Sequence, residues 1–420
     1  MHRRSFIKSS LIGGVSIYTA PVAGKFKSLM PDNIQGIVGL DLTLDVPCKL
    51  FDGKNCWATP RAGIIPNAAQ KNMPRVEMVM YKLDLSGNDI FNGVYRLNVN
   101  GPDGKWSEPE KNGPLDLRTQ TLSDEPVRIG AASLWPGWHK ASKKLLATGS
   151  TTEYTMDWKV PKTKLRRTVY CIFDEAGNDW KQWKTMEIPG VEDLQSSSAE
   201  GTQRYDEKDG TILLPVGYKP KNGNSGVCVL RCKFDGEELR YIQHGNYIRL
   251  DDTTRGFSEP SVTKFKDTYY LTIRHDKTSF ITTSKDGLNY EPIINWKFDD
   301  GGDLGTYNTQ QHWVTHSDGL FLVYTRKGAD NDNVYRNRAP LFLAQVDPEK
   351  LCVIRSTESI LMPNKGARYG NFGITDISPD ETWVTESEWM QPKGCEKYGS
   401  DGKVYVARIH WKKPNKLFAV

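Results

Sequence analysis

Ser284-Lys285-Asp286-Gly287-Leu288-Asn289-Tyr290 is the stretch that decides the fold. Its aspartate is placed to cap a tight turn and its glycine supplies the positive φ that such a turn needs. Its tyrosine is left to pack against a neighbouring sheet. The acidic-Gly pattern returns at Asp103-Gly104-Lys105-Trp106, Glu175-Ala176-Gly177-Asn178-Asp179-Trp180 and Asp235-Gly236-Glu237-Glu238-Leu239. A degenerate copy stands at Asp347-Pro348-Glu349-Lys350-Leu351. The copies lie roughly 50–70 residues apart, the size of one propeller blade.

Between these turns the chain reads as strand. Val76-Glu77-Met78-Val79-Met80-Tyr81, Thr211-Ile212-Leu213-Leu214-Pro215-Val216, Thr268-Tyr269-Tyr270-Leu271-Thr272-Ile273 and Leu320-Phe321-Leu322-Val323-Tyr324-Thr325 are short runs bounded by Gly, Asp, Asn or Pro. Helical periodicity is almost absent, so the chain is expected to be all-β. The reading is a single β-propeller over residues 24–420, with no Pro- or Ser-rich linker to divide it. Dividing roughly 395 residues by about 55–60 per blade gives seven blades, with six as the alternative. The alternating strand Lys403-Val404-Tyr405-Val406-Ala407-Arg408-Ile409 is expected to complete the first blade and so remove the free edges of the ring.

The first residues carry a different message. His2-Arg3-Arg4-Ser5-Phe6-Ile7-Lys8, followed by a mildly apolar run from Leu11 to Ala20, has the form of a twin-arginine export signal, assigned to residues 1–23. The run holds Gly13, Gly14 and Ser16 and is too short to span a bilayer. The expectation is an exported protein, periplasmic or extracellular, that folds before it crosses the membrane. Removing Arg3, Arg4 and Lys8 takes the formal charge from +5 to +2. Such a near-neutral chain does not bind nucleic acid by bulk charge. No later apolar run is long enough for a membrane span after signal removal. There are seven cysteines and no Cys-x-x-Cys, which points to mostly buried free thiols rather than a structural zinc, with Cys48–Cys56 as the pair a turn could join.

The densest polar cluster within apolar sequence is Gln310-Gln311-His312, preceded by Tyr307 and Asn308 and followed by His316. On a strand, Asn308, Gln310, His312 and His316 would share one side. Amides and imidazoles suit sugar hydroxyls, and His312 is the candidate for acid–base work. On such a strand His312 and His316 stand about 13 Å apart, too far for one metal ion. No metal site or cofactor is assigned, although propellers of this sort can hold a structural cation such as calcium in the central channel. Arg274-His275-Asp276 closes a strand, and an arginine there can fork onto a carboxylate. Trp135-Pro136-Gly137-Trp138-His139 offers an aromatic face for sugar C–H groups and a histidine. Glu386 and Glu388 read as structural or solvated acids.

The acidic-Gly turns resemble the Asp boxes of sialidase-type propellers. Arg255-Gly256-Phe257-Ser258-Glu259-Pro260-Ser261, Tyr307 to Trp313, His316-Ser317-Asp318-Gly319-Leu320 and Arg338-Ala339-Pro340-Leu341 resemble a bacterial group of sialidase-like, or BNR-repeat, proteins. Trp57-Ala58-Thr59-Pro60-Arg61-Ala62-Gly63 and Pro136-Gly137-Trp138-His139 fit the same group. The nearest enzymatic analogy is the seven-bladed α-L-rhamnosidases, which remove terminal rhamnose from glucuronate on arabinogalactan side chains with a histidine. The resemblance implies an exo-acting glycoside hydrolase on uronate-containing polysaccharide side chains, with an oligosaccharide or polysaccharide as partner. It implies His312, Tyr307 and His139 as catalytic groups. It implies Arg61, Arg274, His275, Asn308, Gln310, Gln311, Glu259, Arg338 and Trp135 as substrate contacts. Three alternatives stand beside it. One is a polysaccharide lyase with Tyr307 or His312 as base. Another is a sialidase, with Arg61, Arg274 and Arg338 on a carboxylate and Tyr307 beside Glu259, although no Arg-Ile-Pro occurs. The third is a non-catalytic glycan-binding homologue, because Thr59 stands where the resemblance implies a histidine.

Overall fold

A computed structural model describes residues 24–26, 38–66, 73–87, 89–122, 125–161 and 166–418. The stretch 1–23, where an export signal is expected, lies outside the described residues. The described chain forms six antiparallel sheets arranged as the blades of a β-propeller. Six replaces the seven expected. The division by length assumed too small a blade: these strands reach 15 residues, at Glu125–His139, and extra short strands flank several blades.

Each blade is a meander that starts next to the axis. Blade 1 runs Asn55–Ile65, Arg75–Asp84, Ile90–Asn100 and Glu110–Lys111. Blade 2 starts at Glu125–His139, blade 4 at Ser258–Phe265 and blade 5 at His312–His316. In blade 3 the inner strand is broken into Ser197–Ser198 and Tyr205–Asp206, both paired with Thr211–Tyr218. Blade 6 runs Gly373–Ser378, Glu381–Ser387 and Lys403–Trp411, and its outer strand is Leu40–Lys49 from the other end of the chain. The ring therefore closes in the sense opposite to the expectation. The N-terminal strand joins the last blade, rather than the C-terminal strand joining the first. Either way the two chain ends are stitched by a ladder of main-chain hydrogen bonds, and the free edges are paired.

Seven apolar clusters hold the ring among the described residues, one in each seam between neighbouring blades and a second in the seam between blades 6 and 1. The seam between blades 6 and 1 packs Trp383, Val404 and Val406 against Trp57, Met78, Met80 and Val99. Side chains that alternate along strands buried on both faces supply these layers, which is why the strands read as near-continuous apolar runs. The seven cysteines are free thiols, so the Cys48–Cys56 pairing is not made.

The acidic-Gly turns all fall at one place, between the third and fourth strands of blades 1 to 5. Asp286 Oδ1 accepts from the amides of Leu288 and Asn289 at 2.8 and 2.7 Å. Asp235 and Asp347 cap their own turns in the same way. Blade 6 lacks a copy because its third and fourth strands come from opposite ends of the chain.

Candidate functional site

In a four-stranded meander the first-to-second and third-to-fourth turns share one end of the blade. The second-to-third loops and the crossovers between blades share the other. The repeated turns thus mark one end of the propeller, and a cavity of about 580 Å³ opens at the opposite end.

The inner strands are built for that cavity. Three carry the same bulge, with two residues opposite one, at Thr59-Pro60, Ser133-Leu134 and Glu259-Pro260. The first residue of each lies in the left-handed region, at φ 50°, 55° and 48°. Asn308 takes the corresponding place ahead of blade 5 at φ 50°, and Gly201 and Gly370 take it in blades 3 and 6. Side chains at Gly201 and Gly370 would collide with Gln310 and Thr309 respectively, so these two lips must be bare. Positive φ recurs at this place in all six blades around one cavity, and in four of them a non-glycine residue bears it, the kind of backbone strain that clusters at functional sites. Thr59, Ser133 and Glu259 line the cavity.

Seven basic and three acidic side chains line the cavity. Glu259 is paired with Arg274, and Glu200 with Arg166. Arg255 reaches Asp276 at 3.0 Å. Arg336, Arg338 and Arg368 have no ion-pair partner among the described residues. Arg368 lies over the rings of Trp389 and Tyr335, at 4.4 and 5.2 Å, with Gln391 as its hydrogen-bond acceptor. The Nε atoms of Arg274, Arg338 and Arg368 are buried and unpartnered. Burial, together with the nearby charges of Arg274 and Arg368, holds Arg338 well below its ordinary pKa. Burial pushes Glu259 up, but Arg274 and Arg338 outweigh it and keep this carboxylate below its usual range. Cations crowded in a partly dry site are stabilised when an anion binds.

Asn308 sits at the centre of this group. Its Oδ1 accepts from Arg274 at 2.7 Å, Arg255 at 3.3 Å and Arg336 at 3.5 Å. Its main-chain oxygen accepts from Arg338. Its own amide donates to the carbonyl of His275 at 2.8 Å.

Beneath the cavity lies a second, fully buried network. Arg61 donates to the carbonyls of Ser133 and Phe372 at 2.8 and 3.2 Å, and to Gln310 Oε1 at 2.8 Å. Its guanidinium lies 5.0 Å from the Trp135 ring centre. His312 Nε2 meets the same Gln310 oxygen at 3.1 Å, and Nδ1 meets the Ser261 hydroxyl at 2.7 Å. Because Gln310 Oε1 can only accept, Nε2 carries the proton and Nδ1 takes the hydroxyl's. Burial, reinforced by Arg61, holds the His312 pKa well below the usual histidine value. Gln310 itself lines the cavity and donates to Asn371 at 3.1 Å, so this network sets two polar groups on the cavity floor.

The sequence candidates therefore divide. Arg274, Glu259, Arg338 and Gln310 line the cavity, and Asn308 ties its arginines together. Arg61, His312, Trp135 and Gln311 are buried supports; Gln311 bonds Thr309 and Thr272. His275 is buried against Thr254 and Asp252, with Phe257 and Phe280 around it. Tyr307 donates to Asn337 at 2.8 Å and does not line the cavity beside Glu259. His139 sits at a first-to-second turn, at the end away from the cavity, bonded to Ser142 and the carbonyl of Gly210. Asn308 and Gln310 precede the blade 5 strand, which begins at His312, so the expected shared strand side does not exist. No histidine is among the lining residues. Glu386 and Glu388 are buried acceptors for main-chain amides, as structural acids would be.

Sequence reasoning passed over Asp89, Arg166, Glu200, Lys219, Arg336 and Arg368. Arg336 and Arg338 in one polar loop were a readable signal. The others stand alone in loops of different blades. Asp89 is exposed and makes no ion pair among the described residues, and its carbonyl accepts from the Tyr154 hydroxyl at 2.7 Å.

Comparison with known proteins places the fold. No family model matches the chain, and no curated protein does. Among solved structures, a protein of unknown function from Dyadobacter fermentans is similar with a TM-score of 0.58 at 15% identity, over 90% of this chain and 100% of that one. The Hadza microbial sialidase Hz136 is similar with a TM-score of 0.55 at 10% identity, over 84% of this chain. Trypanosoma rangeli sialidase is similar with a TM-score of 0.54 at 12% identity, over 93% of this chain. The match spans 65% and 60% of the two sialidases' own lengths. The chain has a sialidase-like β-propeller fold. Among the described residues no helix is long and apolar enough to cross a membrane.

Proposed function

We propose that this chain is a carbohydrate-active propeller whose cavity takes the acidic sugar at the end of a polysaccharide side chain, and that it acts there as an exo-acting glycoside hydrolase. The observation that carries the reading is the excess of cations. Arg336, Arg338 and Arg368 face one cavity with no ion-pair partner among the described residues, beside Arg274 and Arg255. A sugar carboxylate supplies the missing charge, and forked guanidinium groups fix its orientation. The cavity volume suits one or two sugar rings. Sialidases are among its structural relatives, and sialic acid is itself a carboxylate sugar. Uronates, including glucuronate that carries terminal rhamnose, satisfy the same chemistry. The twin-arginine motif at Arg3-Arg4 supports an exported enzyme that meets such polymers outside the cytoplasm.

Histidine assistance is not part of the proposal, because His312 is sealed under the floor and His139 lies at the far end. Among the lining acids, Glu259 is held ionised by Arg274 and Glu200 is bound to Arg166. Asp89 is the remaining lining acid, exposed and without an ion pair among the described residues. One observation favours a second reading, glycan binding without turnover: Thr59 lines the cavity where the resemblance implies a catalytic histidine. Incubation with uronate-containing polysaccharides, rhamnosyl-glucuronate and sialyl-oligosaccharides separates the readings. Release of a free monosaccharide, read by product mass, supports hydrolysis. Binding with no product moves the chain to the binding class, and absorbance of an unsaturated uronate would replace hydrolysis with elimination.

A further inference from the structure

We propose that Asn308 is a specificity-determining residue: its neutral carboxamide gathers the cavity arginines without discharging them. The inference rests on the reading of the cavity as an acidic-sugar site. Three guanidinium groups, from Arg274, Arg255 and Arg336, converge on Asn308 Oδ1, and Arg338 takes its main-chain oxygen. These arginines come from three loops or strand ends and repel one another. A shared acceptor is what brings them into one place. An aspartate has the same shape and would be the stronger acceptor, so hydrogen bonding alone does not account for asparagine. The difference is charge. An aspartate would be a built-in counter-ion that occupies the cluster, whereas asparagine leaves its positive charge for a ligand. The backbone admits asparagine and aspartate alike, so the choice between them rests on charge. Asn308 lies at φ 50°, a conformation that asparagine and glycine tolerate better than most residues, and its amide is anchored on His275.

The test compares Asn308→Asp with Asn308→Gly by calorimetric titration. D-glucuronate and N-acetylneuraminate are the acidic probes, and D-glucose is the neutral control. Asn308→Gly suits the backbone and removes the acceptor. It is expected to weaken binding of the acids by less than Asn308→Asp does, so that acid is still preferred over neutral sugar. Asn308→Asp is expected to cut that preference about tenfold to a hundredfold, the effect of losing one charge-assisted contact. Its melting temperature is expected to equal or exceed that of the wild type, because the cluster is then internally neutralised. Retention of wild-type acid preference by Asn308→Asp overturns the proposal, as does an equal loss of preference in both variants. If Asn308→Asp does not fold, Asn308→Gly still decides, because loss of acid preference there means that the amide rather than the neutral charge was needed. A wild type that binds neither acid better than glucose defeats the acidic-sugar reading itself, a result distinct from the failure of Asn308 alone.

Discussion

Replacing Arg61 with methionine tests the assignment of this residue to the support of the cavity rather than to its surface. The side chain is fully buried, and burial lowers its pKa to about 10, so its charge is held at a cost. Its three acceptors are all neutral: two main-chain carbonyls and Gln310. Methionine matches the stem but donates nothing, so three buried oxygens lose their donors, each worth about 1–3 kcal/mol. Relief from burying the charge returns several kcal/mol. The stack on Trp135 adds a further loss of about 1 kcal/mol. The losses outweigh that relief, and the net expectation is a destabilisation of about 3–5 kcal/mol. With an unfolding entropy of about 2.1 cal/mol/K per residue, this lowers the melting temperature of the 420-residue chain by about 3–6 °C. Differential scanning calorimetry on the purified protein reads this directly, and Arg61→Lys, with a single charged donor, should fall between wild type and Arg61→Met. A melting temperature within about 1 °C of wild type for Arg61→Met would refute the reasoning, because it would mean that desolvation of the guanidinium cancels its bonds.

Arg338→Met is expected to behave in the opposite way. It relieves the crowding by Arg274 and Arg368, so the melting temperature holds or rises, while affinity for D-glucuronate falls about tenfold to a hundredfold in the same titration. Glu386 predicts a pH dependence. Burial raises its pKa from 4.5 to about 7, so between these values the folded protein holds a proton that the unfolded chain has released. Stability therefore falls as pH rises through that window, by about 3 kcal/mol in total, and Glu386→Gln should flatten the dependence in urea titrations at several pH values. Glu77, raised to about 7 by burial, acts in the same direction, so a double variant should flatten it further. Asp286→Ala removes the acceptor for two turn amides and should cost about 1 kcal/mol by urea unfolding, with Asp286→Asn retaining most of it.

What the sequence determined by itself is local. Asp286 and the amides that it caps are two and three residues apart, so the turn is written in one contiguous stretch and recurs legibly in five blades. The strand character of Thr268–Arg274 or Gly319–Tyr324 is likewise set by β-branched and aromatic residues packed on a pleat. Those two signals suffice for an all-β propeller. The blade count was not legible, because it depends on how the wedges close. In this chain the closing strand Leu40–Lys49 pairs with Lys403–Trp411 from the opposite end of the chain.

The cavity was decided by tertiary structure. Its charges come one or two at a time from different loops, at the end of the propeller away from the repeated turns; Arg274, Glu259 and Arg338 were legible as candidates, but Asp89, Arg166, Glu200, Lys219 and Arg368 were not. Only convergence on Asn308 makes them a site. The Gln310-Gln311-His312 cluster was visible, but its depth was not. Its imidazole is sealed by Trp135 and Phe372 from other blades, so the group that looked catalytic became a prop for the floor. Burial is a property of the closed ring, and in this protein it separates the residues that can meet a sugar from those that hold them in place.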